Sequence, residues 1–158
     1  MIIRMIGLAA VMLLLAACSS PPPPGAGGPI SNAGNGAGFA PGSQQDLAAT
    51  AGDRVFFAYD QSDISSEGQQ ILQRQAEWLK RYPRVSVTIE GHCDERGTRE
   101  YNLALGNRRA DAVKRALIAL GIDSGRITTI SYGKERPAVV GDNEEAWAQN
   151  RRGVTVIN

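Results

Sequence analysis

The chain has 158 residues, 17 Lys plus Arg against 16 Asp plus Glu, and 42% hydrophobic residues. That length allows one ordinary domain and little more. The near-neutral charge gives no electrostatic reason to expect nucleic acid, and two cysteines, Cys18 and Cys93, are too few for a disulfide framework.

Residues 1–17 read as a secretory signal. Arg4 supplies a positive start, and Ile6 to Ala17 is uncharged and mostly apolar. A membrane span needs roughly 20 apolar residues, so this run is short for one. It ends in Leu15-Ala16-Ala17-Cys18. That ending resembles the lipobox of bacterial lipoproteins, in which the cysteine carries a diacylglyceryl group and an acylated amine. Each buried lipid methylene contributes about 0.8 kcal/mol, and two or more chains anchor durably. The position after Cys18 is Ser19 rather than Asp, which by resemblance favours the outer membrane, with the rest of the chain facing the periplasm. An ordinary secreted protein cleaved near Ala17, with a chance cysteine, is the alternative.

Residues 18–52 read as a disordered tether. Ser19 to Gly52 holds 6 Pro and 8 Gly, almost no charge and no hydrophobic period. Such composition buries too little apolar area to offset chain entropy. Pro21 to Pro24 favour polyproline II, and the Gly- and Ala-rich remainder favours coil. A coil of this length spans roughly 30 Å on average and at most about 110 Å.

Residues 53–158 read as the folded domain. Val55 to Tyr59 is a short apolar and aromatic run, a buried strand. After a turn over Asp60 to Ile64, Ser65 or Ser66 caps a helix, and Ser66 with Gln69 fits a capping box. Ile71, Leu72, Ala76 and Leu79 share one helical face, and Pro83 ends the helix. Val85, Val87 and Ile89 alternate with polar residues, as in a half-buried strand. A polar loop from Gly91 to Arg99 follows. Tyr101, Leu105, Val113, Leu117 and Leu120 mark a second helix, with Gly121 and Ile122 placed for a Schellman stop. Ile127 to Tyr132 and Gly153 to Ile157 read as strands, and Asn143 to Ala148 as a short helix between them. The order β-α-β-α-β-(short α)-β predicts an α/β sandwich with a mixed four-stranded sheet.

Two segments are dense in chemistry: Gly91-His92-Cys93-Asp94-Glu95-Arg96-Gly97-Thr98, and Asn102 to Val113 with its Arg108-Arg109-Ala110. With Ser131-Tyr132-Gly133 and Asn150-Arg151-Arg152, they resemble the OmpA-like peptidoglycan-binding domain from Val55 to Asn158. The resemblance implies a binder of the peptidoglycan stem peptide at meso-diaminopimelate. Asp94 would receive the ligand's ammonium and Arg109 its carboxylate, since a planar guanidinium can bind a carboxylate through two parallel bonds. Asp60 matches a further family contact, and Tyr59, Arg96 and Thr98 would line the site. A salt-bridged staple with no ligand is the alternative. Relatives with the same anchor also bind the periplasmic protein TolB of the Tol envelope system, so wall and protein partner are both expected. Cys93 departs from the family pattern and adds an oxidisable thiol.

No enzyme, metal or cofactor is expected, apart from acyl groups on Cys18. His92 and Cys93 are adjacent on an extended chain and point to opposite faces, so the imidazole does not readily activate the thiol. His92 is the sole histidine, whereas zinc needs about four converging ligands. His92 is expected to make structural hydrogen bonds at the strand end. Trp78 is expected in the partial core, and Trp147 either in the core or at a protein contact.

Overall fold

The computed structural model describes residues 38–158. The expected signal segment, Cys18 and most of the tether lie outside the described residues. Four strands, β1 (Arg54–Phe56), β2 (Val87–His92), β3 (Ile127–Gly133) and β4 (Arg152–Ile157), form one mixed sheet in the order β1-β4-β2-β3. β4 runs antiparallel to both β1 and β2, and β2 is parallel to β3. Helix α2 (Ser66–Arg81) joins β1 to β2, and α3 (Arg99–Ala119) joins β2 to β3. Val87 and Ile89 of β2, Leu72 and Leu79 of α2, and Val113 and Leu117 of α3 are buried in one core. The expected α/β sandwich with a mixed four-stranded sheet is the observed fold.

The expected tether over residues 18–52 does not run as far as residue 52. Gln44–Thr50 form a helix, α1, capped by Ser43, whose side chain accepts from Asp46 N. Leu47 is fully buried in the core. Asp46 accepts from the Trp78 indole (3.1 Å), and Gln44 Nε2 donates to the Thr155 carbonyl (3.0 Å). The folded unit therefore begins before residue 53. Gly and Pro averaged over a long window concealed one apolar residue whose partners are far away in sequence.

The helix ends follow local chemistry. Ser65, not Ser66, caps α2 by accepting from Gly68 N, so a glycine occupies the position a capping box would need and no such box forms. α2 stops at Arg81, ahead of Pro83, because the residue before a proline disfavours helix. Beyond α3, Ile122 N donates to Leu117 O (3.1 Å) and Gly121 N to Ile118 O (2.9 Å), with Gly121 at φ 92°. Those two bonds are the expected Schellman stop. α4 (Glu144–Asn150) is capped by Asn143. β1 is shorter than its apolar run suggested: Val55 and Phe57 are buried, whereas Phe56 and Tyr59 are exposed.

Candidate functional site

Close packing of two glycines sets the site. A methyl group on Gly91 of β2 would overlap the Gly106 carbonyl oxygen of α3. Without side chains, the helix backbone lies directly on the end of the strand. Arg109, one turn after Gly106, is thereby carried under the loop that leaves β2. That loop, Cys93 to Thr98, is held by Asn102, whose amide donates to Arg96 O (2.8 Å) and Thr98 O (3.1 Å). On the opposite wall, Asp60 adopts φ 56°, a left-handed conformation that Asp tolerates better than most residues.

A cleft of about 170 Å³ opens between these segments. Five of the six expected residues line it: Tyr59, Asp60, Asp94, Arg96 and Arg109. Thr98 does not. It caps α3 by accepting from Tyr101 N (3.2 Å) and is exposed.

Arg109 is 1% exposed. Its Nε donates to Gln61 O (2.8 Å), Nη1 to His92 O (2.8 Å) and Nη2 to Ala58 O (3.1 Å). No carboxylate pairs with it among the described residues. Burial lowers its pKa, against the opposing pull of Cys93 and Asp94. A guanidinium has five N–H donors, so one hydrogen remains on each terminal nitrogen. Asp94 is also buried, but it is fully partnered. Its Oδ1 accepts from Arg96 N (3.2 Å) and Nε (3.3 Å), and its Oδ2 from Arg96 Nη2 (2.5 Å) and Arg151 Nη1 (3.4 Å). Burial pushes the Asp94 carboxyl up. Hydrogen bonds from Arg96 and its charge, with Arg151, outweigh this and hold it below the ordinary carboxylate value.

Two participants were not assigned to the site from sequence. Arg151 stands behind Asp94 and also bonds Phe57 O (3.0 Å) and Glu144 (2.5 Å). Its paired-arginine motif was the available signal. Tyr101, read as a core-facing helix position, is 45% exposed and donates its hydroxyl to Asp60, which raises its pKa. Cys93 lines the cleft at 3% exposure; its Sγ lies 3.3 Å from Asn102 O, and burial raises the thiol pKa. That environment suppresses thiolate chemistry, so the thiol is less readily oxidised than an exposed one. His92 is buried, with Nε2 3.3 Å from Glu90 and Nδ1 unpartnered. Burial and then the Arg152 charge lower its pKa to about 4. Of the structural hydrogen bonds expected of it at the strand end, its ring forms only the one to Glu90 among the described residues. Trp78 belongs to the core, whereas Trp147 is half-buried and donates to Glu95 (3.2 Å). No group of three potential metal ligands occurs among the described residues.

Fold and cleft together define an α/β-sandwich domain with a charged cleft at the carboxyl end of a central strand. The chain belongs to the OmpA family, whose model matches residues 56–151. It is 57% identical over 132 residues to the peptidoglycan-associated lipoprotein of Brucella melitensis, covering 81% of this chain and 79% of that one. To the peptidoglycan-associated lipoprotein of Agrobacterium fabrum it is 58% identical over 123 residues, covering 77% and 70%. The crystal structure of the peptidoglycan-associated lipoprotein from Burkholderia pseudomallei matches with a TM-score of 0.65 at 44% identity, over 67% of this chain and 90% of that one.

Proposed function

We propose that this protein is an outer-membrane lipoprotein that holds peptidoglycan non-covalently and so ties the membrane to the cell wall. The supporting observation is Arg109: a buried cation with no carboxylate partner among the described residues, bonded to three main-chain carbonyls, at a cleft that also holds Asp94 and Asp60. The distal carbon of meso-diaminopimelate carries an ammonium and a carboxylate. Arg109 receives the carboxylate, and Asp94, with Asp60 nearby, receives the ammonium. The names of the relatives support the same ligand and the same lipid attachment, which on this chain falls at Cys18. No described helix is long and apolar enough to cross a membrane.

The act is binding without bond cleavage. In the cleft, the Cys93 thiol is buried and kept protonated, and the His92 ring engages Glu90 instead. Tyr59 at the cleft, and Val139 and Val140 in a neighbouring pocket lined also by Cys93 and Glu95, are exposed, a rim suited to a protein partner. We assign that rim to TolB, within the Tol-Pal system that supports envelope integrity and cell division. Co-sedimentation of the full-length protein with purified diaminopimelate-type sacculi tests the reading. The protein should pellet with sacculi, and added TolB should release it. Failure to pellet would contradict wall binding, and pelleting indifferent to TolB would contradict the shared rim.

A further inference from the structure

Asp94 as it stands offers an ammonium group no free lone pair. A carboxylate offers about four lone-pair sites, and Arg96 and Arg151 occupy all four on Asp94. Arg151 is buried behind Asp94, whereas the Arg96 side chain is 29% exposed and lines the cleft. The Arg96 guanidinium is itself held. It lies 4.0 Å from the Tyr59 ring centroid and 4.0 Å from that of Trp147. The Trp147 indole is in turn fixed by its bond to Glu95 (3.2 Å).

We propose that Arg96 is a latch over Asp94, and that Tyr59 and Trp147 are positioning residues that set how readily it opens. This rests on the peptidoglycan reading above. A ligand ammonium reaches Asp94 only by taking the lone pairs that the Arg96 side chain holds. The apparent affinity is then reduced by the fraction of molecules in which Arg96 is released. The aromatic pair enlarges that reduction, because each cation–π contact favours the closed position. α4 thereby tunes a cleft that none of its residues lines: Glu144 steadies Arg151, and Trp147 steadies Arg96.

Nuclear magnetic resonance of the full-length protein reads the latch through the Arg96 Nε–H and the Trp147 indole N–H. Without ligand, Trp147→Ala should speed exchange of the Arg96 Nε–H with water. Adding a diaminopimelate muropeptide to wild type should shift both signals. By calorimetry, Trp147→Ala should bind that muropeptide about two- to fivefold more tightly, and Trp147→Tyr should restore wild-type affinity. Should Trp147→Ala lose its fold, Tyr59→Ala makes the same test from the other ring. Unchanged Arg96 exchange in the alanine variant overturns the clamp. Weaker binding by that variant, or an Arg96 signal that stays put while other cleft signals move, overturns the latch and leaves the wall-binding reading intact. No muropeptide binding by wild type overturns both.

Discussion

Arg109→Ala should cost stability as well as ligand. The guanidinium supports three carbonyls that belong to two separate segments, Ala58 with Gln61 and His92. The bond to His92 O is buried, and leaving that carbonyl unpaired costs about 2 kcal/mol. Ala58 and Gln61 are exposed residues, so water can reach their carbonyls, and each loss costs roughly 0.5 kcal/mol. Losing the buried methylenes adds about 2 kcal/mol, and relief of the buried charge returns roughly 1 kcal/mol. The net loss is about 4 kcal/mol. With a urea slope of about 2 kcal/mol/M, the unfolding midpoint followed by circular dichroism should fall by about 2 M. A midpoint within roughly 0.3 M of wild type would refute the claim that Arg109 joins these segments. Arg109→Lys keeps the charge and some of the bonds, so it is the cleaner variant for binding.

Leu47→Ala should destabilise the protein by about 2–5 kcal/mol in urea titration, the usual range for a buried leucine; a neutral result would return residues 44–52 to the tether. His92 resists protonation in the fold, with a pKa of about 4 against 6.5. The unfolded chain therefore binds the extra proton between those values. Stability should fall as pH drops from 6.5 to 4, by up to about 3 kcal/mol, and a His92→Gln variant should flatten that window. Asp53 and Asp94, both held below the ordinary 3.8, contribute stability that is lost only on further acidification. Cys18→Ser should leave an unprocessed or soluble product; its recovery in outer-membrane fractions after peptidoglycan digestion would contradict lipid anchoring.

Period and punctuation in the sequence were enough to place the two long helices, the four strands and the Schellman stop, because each is written in neighbouring residues. What escaped was non-local. α1 has a single buried leucine, and its anchors are Trp78 and Thr155. Tyr101 falls on the apolar period of α3, yet it turns to Asp60, 41 residues away. Arg151 meets Asp94 across 57 residues. The convergence of Asp94 and Arg109 was legible only through resemblance to a family pattern. That Arg109 rests on carbonyls was not legible at all, since main-chain acceptors carry no residue type.

Calorimetric titration of the full-length protein with a diaminopimelate muropeptide, in wild type and in Arg109→Lys, tests the central claim most directly. An ammonium cannot reproduce the two-pronged contact, and a charge left unpaired in the cleft costs about 2–5 kcal/mol. Wild type should bind saturably and Arg109→Lys at least about 30-fold more weakly. A muropeptide carrying lysine in place of diaminopimelate should bind wild type just as poorly. Equal affinity of both proteins for the diaminopimelate ligand would contradict the assignment and leave Arg109 a structural brace alone.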